Sequence, residues 1–459
     1  MHSWTVNEDS RLSFWPHVRE FAVPPSMIES ATTRRAAGDW AGACAAARVD
    51  VDLNLRSVAR THGQEFASRV RTDLRHLAPD LLRWHMPRIA PDGLLRPGLT
   101  ISLARYHPAG HPGGNAAHLV VRTPPAWADA GQRISLALWD GAGSRTAPPG
   151  PHPHPRPDRR FRLDLHRHLW DARRTDELRV RSGADQPPAD GHSAAHQDLR
   201  QERGCAVDRW AAEAEILLRA DGRAGGAVAV RLGARQRLVL ERVPEADAGT
   251  ASGLRITTAP VRGAAGLPVL PDAATWVPPD LALLRAGLIE ADRLHPLVAS
   301  ALVPGHPPAT PPRTADGGAT PRFVECRGTR HRIGLVNGTL VPLDHDPAEI
   351  RREELLAALT GTPLPCLQAI DEAHRRPECL VDVRARLDHG DTAGALAAVE
   401  ELLGPEALLR SGALRDALET AALRRITHGL FRAGLAGHGA GPASPAGPRR
   451  RQPGRATAR

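Results

Sequence analysis

Three histidines, His107, His111 and His118, flank an expected hairpin loop in the run 105–118, RYHPAGHPGGNAAH. Imidazoles on two paired strands and their connection can converge on one ion, and neutral imidazole is a common ligand for divalent metals. These three residues are the candidate metal ligands of the chain. A second group, His152, His154, His166 and His168, begins in a proline-rich stretch. Cys366, His374 and Cys379 are softer donors, but gaps of seven and four residues are not the paired short spacings of a zinc finger. They read as two buried thiols and a helix-surface histidine. Asp344-His345-Asp346 sets carboxylates beside an imidazole, as an acid/base unit requires, although Asp346 is already accounted for as a helix cap.

Other chemistry is excluded by what is missing. The 60 formal cations are all arginine, because the chain has no lysine. A phosphate-binding loop with its closing lysine, the kinase strand lysine and Schiff-base catalysis therefore have no foothold. There is no HExxH, no G-x-S-x-G, and no G-x-G-x-x-G between a strand and a helix. The absence of lysine, one tyrosine and six phenylalanines beside abundant Arg, Ala, Gly and Pro reflect a high-GC coding background. Five arginines and no acid follow residue 432, so +5 of the net +9 is in the tail and +4 remains for the rest. Cys44, Cys205, Cys326, Cys366 and Cys379 are odd in number and dispersed, which points to reduced thiols in the cytoplasm. No run approaches the length of a membrane span, so no membrane partner is expected.

The elements that must position these residues are legible from periodicity. Four segments, Ser26 to Ala37, Trp40 to Arg48, Leu53 to Thr61 and Glu65 to Leu77, place apolar residues three and four apart, and Pro79-Asp80 opens a further short helix. From residue 100 the period becomes two. Thr100 to Tyr106, Ala117 to Arg122, Ile134 to Trp139, Arg160 to His166, Ala227 to Leu232, Arg237 to Val243 and Leu254 to Thr258 are expected strands. Glu213 to Ala220 fits either a helix end or a strand, and residues 279–302 fit two helices. Asn337-Gly338 between apolar runs predicts a hairpin. Asp346-Pro347-Ala348-Glu349 predicts the start of a helix.

The expected fold is α+β. A helical N-terminal region (1–97) precedes a β-rich antiparallel centre (98–302), a sandwich or open barrel with Pro/Gly-rich insertions at 142–158 and 183–199. A linker (303–321), a β-meander with a helical bundle (322–435) and a disordered Arg-rich tail (436–459) complete the chain.

Two distant stretches echo one another. Residues 38–46 (GDWAGACAA) and 390–398 (GDTAGALAA) agree at seven of nine positions, each between helix-patterned segments. Glycine can end one helix, Asp can cap the next, and small alanines permit close approach. Each stretch resembles the inter-helix turn of tetratricopeptide repeats, although Thr392 replaces the aromatic and no tandem array is present.

With no catalytic motif, the expected function is a non-catalytic intracellular scaffold or adaptor that binds a protein partner through helical surfaces, with no cofactor. One alternative is a metal-assisted enzyme of hydrolase type, centred on His107, His111 and His118 and using a divalent metal. A second is a nucleic-acid-associated protein making salt-dependent phosphate contacts through Arg449, Arg450 and Arg451.

Overall fold

The computed structural model describes residues 12–107, 116–141, 152–185, 198–200, 203–233, 236–242, 254–259, 266–305, 322–326, 328–336, 339–361, 365–368, 370, 380–403 and 412–435. His111, His374, Cys379 and the tail with Arg449, Arg450 and Arg451 lie outside the described residues. The fold is α+β, with helices concentrated in the N- and C-terminal parts and separate sheets between them. No helix among the described residues is long and apolar enough to cross a membrane.

After a helical turn at Trp15–His17 that runs on into a π-helix at Val18–Ala22 come five helices: α1 (Pro25–Ala36), α2 (Trp40–Ala46), α3 (Leu55–His62), α4 (Gln64–His76) and α5 (Pro79–His85). Their starts follow local chemistry. Pro25 and Pro79 occupy first-turn positions where an amide donor is not needed. Asn54 accepts from the amides of Arg56 and Ser57 at 2.9 and 3.1 Å. Between α2 and α3 runs a short strand, β1 (Val49–Val51), reached through Arg48 at φ 58°. It pairs parallel to β4 in a sheet of order β1-β4-β3-β2, where β2 is Thr100–Tyr106, β3 Ala117–Arg122 and β4 Ile134–Trp139. Three residues are too few to show a period, so β1 was hidden behind the helix pattern ending at Arg48. Ile101, Leu103, Leu119, Val121 and Leu136 of this sheet share one core with Leu74, Leu81, Trp84 and Trp170.

The expected strand Arg160 to His166 is not one. Its alternating Phe161 and Leu163 are buried, but the backbone makes successive turns, Phe161 N to Asp158 O, Leu165 N to Arg162 O and His166 N to Leu163 O. Only an isolated bridge joins Arg162 to Ser102. Arg162 grips Asp164 two residues on, which suits a turn. Alternation here reports burial without a ladder.

A second sheet of β5 (Val228–Arg231), β6 (Arg237–Arg242) and β7 (Leu254–Ala259) is antiparallel throughout. The ambiguous 213–220 segment belongs to a helix, α6 (Val207–Ala220), which buries Trp210 and Leu217 against Val228, Val230 and Leu240. The helices α7 (Pro279–Arg285) and α8 (Pro296–Leu302) then return to the first core, where Leu281, Leu283 and Val298 are buried.

The C-terminal part begins with the meander β8 (Arg322–Cys326), β9 (Thr329–Val336) and β10 (Thr339–Pro342). Val336 pairs with Thr339 on either side of Asn337-Gly338, which themselves lie outside the described residues, and Asp346 caps α9 (Pro347–Thr360) by accepting from Ala348 N at 3.0 Å. Among the described residues, a helical turn at 365–368 and then three helices follow, α10 (Leu380–Asp388), α11 (Thr392–Leu403) and α12 (Ala413–Arg432). Their small core holds Val383, Leu387, Ala395, Val399 and Leu414.

Candidate functional site

The two echoing turns have the same atomic design. Gly38 and Gly390 adopt φ 78° and 83°, which glycine reaches without steric cost. Asp39 then accepts from Gly42 N at 2.8 Å, and Asp391 from Gly394 N at 3.2 Å. In each case an arginine five residues upstream holds the capping carboxylate: Arg34 to Asp39 at 3.1 Å, Arg386 to Asp391 at 2.9 Å. This arginine lies before the echoing nine residues, on the last turn of the preceding helix, so the echo itself does not contain it.

The first turn is exposed, whereas the second is a docking joint between the C-terminal helices and the rest of the chain. Arg48 donates to His389 O at 3.0 Å and to the Asp391 carboxylate at 3.2 Å. Arg83, fully buried, donates to the carbonyls of Ala22, Gln132 and His389. His389 itself is buried, with its ring stacked near Phe21 and its Nε2 3.1 Å from Asp92 O. Burial, together with the Arg88 and Arg83 guanidiniums, pushes its pKa down to about 3, so the ring is neutral. Helix α12 seals the same joint. His428 Nδ1 lies 2.9 Å from Ala128 O, Phe431 meets Trp127 edge-on, and Arg432 pairs with Asp52 and Asp50. A cavity of about 260 Å³ lies here, with Asp50, Arg122, Arg133 and His152 in its wall. Burial opposes ionisation of Asp50, but His428, Arg133 and Arg432 outweigh it and hold the carboxyl below its ordinary range.

The opposite side of α12 is different. Leu423, Ile426 and Leu430, spaced three and four apart, are 59, 60 and 42 % exposed, so they form one uncovered apolar stripe on a 20-residue helix. Ala422 and Gly429 border the stripe on the Ile426 side, and Glu419, four residues before Leu423, continues it in an ion pair with Arg415 at 2.7 Å. Val381 on α10 and Leu396 on α11 are exposed as well.

The histidines singled out by spacing have diverse fates. His107 is exposed at the end of β2, and His118 is buried on β3, paired in register with Arg105. The His118 Nδ1 is 2.8 Å from Ser102 Oγ, and burial, with Arg105 nearby, pushes its pKa down to about 4. His152 is 2.9 Å from Thr123 O. His166 reaches Glu213 at 3.2 Å, and His168 is buried beside it. Burial opposes ionisation of Glu213, but hydrogen bonds from His166 and Arg181 outweigh it and hold the carboxyl at about 2. These contacts join the two main cores.

In the meander, the fold brings together residues that spacing separated. Cys326 ends β8, His345 lies in the loop before α9, and Cys366 is on the helical turn 365–368. One ligand atom from each lies within 4.8 Å of the others. Cys366 Sγ is 3.5 Å from His345 Nε2, and both cysteines are buried, unbridged thiols. Burial and a hydrogen bond with Cys326 push the Cys366 thiol up to about 11. The carboxylates flanking His345 are engaged elsewhere. Asp344 binds the Arg332 amide at 2.8 Å and its guanidinium at 3.0 Å, while Asp346 caps α9. The expected acid/base unit is thus divided between a strand contact and a helix cap. Glu349, one turn into α9, is the acid near His345, 3.8 Å from Nδ1. No local motif could reveal this cluster, since 18 and 20 residues separate its members in sequence.

Compared with protein-family models, curated proteins and solved structures, the chain shows no match to any of them.

Proposed function

We propose that the protein is a non-catalytic scaffold whose C-terminal helices bind a protein partner. The supporting observation is the exposed Leu423, Ile426 and Leu430 stripe on α12, whose other side is committed to the core and the docking joint. Covering these three side chains would contribute roughly 1.5 to 3 kcal/mol each, as an upper bound. The occupant is an amphipathic helix. Ala422 and Gly429, four residues before and three after Ile426, let a second backbone approach closely, and the charges on that face, Arg415 and Glu419, pair with each other. Residues 436–459 contain no Val, Ile, Leu, Met, Phe or Trp with which to cover the stripe.

The test uses two synthetic helices of equal charge, one with leucines at heptad spacing and one with those leucines replaced by serine, titrated onto the full chain. The leucine helix is expected to bind at least about tenfold more tightly, a difference of about 1.4 kcal/mol. The double variant Leu423→Glu/Ile426→Glu is expected to abolish that binding without changing the circular dichroism. Equal binding to the variant overturns the proposal.

A further inference from the structure

We infer that Cys326, His345 and Cys366 form a zinc(II) site that fastens the meander to the helices that follow it. The geometry carries this assignment. A tetrahedral zinc with Zn–S of about 2.3 Å and Zn–N of about 2.0–2.1 Å sets neighbouring sulfur and nitrogen ligands about 3.6 Å apart. Cys366 Sγ and His345 Nε2 stand 3.5 Å apart, and Cys326 completes a triangle whose edges are all within 4.8 Å. Two thiolates and an imidazole form a soft donor set suited to zinc, and three protein ligands leave one tetrahedral position for water.

The surroundings hold each donor in place. At Gly328, φ 80° lets the chain reverse tightly between Cys326 and Thr329, whose hydroxyl donates to Cys326 O at 3.0 Å. The loop carrying His345 is pinned on both sides, by Asp344 on β9 and by Asp346 on α9. With Nε2 facing Cys366, Nδ1 faces Glu349 at 3.8 Å, the arrangement in which an outer carboxylate orients a ligating imidazole. His331 stacks on the other side of His345, with centroids 3.9 Å apart and planes 14° apart. A closely stacked neighbour restricts rotation of the ligating ring.

A staple would also suit this region. Among the described residues, the core around the two thiols contains Val324 and Leu367 besides the cysteines themselves, a small apolar surface that a metal ion would reinforce. Binding Zn²⁺ displaces one proton from each thiol, so the two thiolates offset the charge of the ion and two protons pass to solvent. The site is separate from the α12 stripe and does not depend on the scaffold proposal.

The experiment uses the full chain, purified under reducing conditions without chelator and supplied with Zn(II) alone or Co(II) alone. Elemental analysis is expected to give one zinc per chain, and the Co(II) form the intense near-ultraviolet absorption of thiolate-to-cobalt charge transfer. Cys326→Ser and Cys366→Ser each abolish that absorption, and Glu349→Gln weakens zinc binding about 10- to 100-fold. His107→Ala/His118→Ala leaves both readouts unchanged. The Co(II) spectrum of the unmutated chain needs no variant to fold. No metal after reconstitution, stoichiometric metal that survives both cysteine substitutions, or a Cys326–Cys366 disulfide in protein trapped at lysis overturns the assignment.

Discussion

Gly131 and Gly390 meet backbone to backbone, so closely that a methyl group on either would overlap main-chain atoms of the other. Both have positive φ, 65° and 83°. This contact fixes where the second echoing turn, and with it the three C-terminal helices, lies on the N-terminal part. It predicts that Gly131→Ala and Gly390→Ala each cost about 2–4 kcal/mol, combining left-handed strain with overpacking. Gly38→Ala, at φ 78° with open space around it, is expected to cost only about 1–2 kcal/mol. Urea unfolding of the three variants checks the difference. Equal costs at Gly38 and Gly390 would show that the close approach carries no energy.

Arg48 and Asp391 join the same two parts across 343 residues of sequence. Because Asp391 also caps α11, Asp391→Ala alone mixes two losses. A double-mutant cycle with Arg48→Ala separates them, and a coupling of about 0.5–3 kcal/mol is expected for a partly buried pair in contact. Arg34 and Asp39, the equivalent pair at the exposed turn, should couple by no more than about 1 kcal/mol. A coupling near zero for Arg48–Asp391 would remove the ion pair from the joint.

Much of the fold was legible because local signals agreed with it. Thr100 to Tyr106, Ala117 to Arg122 and Ile134 to Trp139 are strands with the expected ends, and the Asn-Gly hairpin and the Asp346 cap are in place. Each rests on a period or a turn residue within a few positions. Arg160 to His166 failed because burial alone imitated strand alternation. β1 escaped because its partner, β4, lies 85 residues further on. The site was less legible. His107 and His118 attracted attention by proximity in sequence, whereas Cys326, His345 and Cys366 are assembled by a hairpin end, a loop and a helical turn that no single window contains.

Acid should loosen the docking joint through His389. Its folded pKa, about 3, lies below the roughly 6.5 of an unfolded histidine, so the unfolded chain binds the proton first as pH falls. The contribution of the neutral ring is complete above pH 6.5 and is lost progressively towards pH 3. His389→Gln, which retains a donor for Asp92 O, should reduce proton uptake on unfolding by about one in this window. Unfolding free energies measured between pH 4 and 7 give that slope. An unchanged slope would mean that His389 is protonated in the folded chain.

Glu213 is expected to behave in the opposite chemical sense with the same pH direction. With its carboxyl held at about 2, its contribution is present above the ordinary carboxylate range and disappears as pH falls towards 2. Glu213→Gln leaves Arg181 and His166 without their shared anion at a buried site and should cost about 3–5 kcal/mol at pH 7. Thermal unfolding of the variant at neutral pH checks this, and a loss below about 1 kcal/mol would mean that solvent replaces the carboxylate.

The scaffold proposal is tested most directly by photo-cross-linking from α12. A photoreactive residue at Ala422, beside Leu423 and Ile426, is irradiated in an extract of the source cells, with the same residue at Arg351 on α9 as control. The predicted result is a discrete adduct from Ala422 alone. Its cross-linked peptide is an amphipathic helix, and it is lost in the Leu423→Glu/Ile426→Glu background. An adduct with another copy of this chain, or the same adducts from both positions, would contradict the proposal.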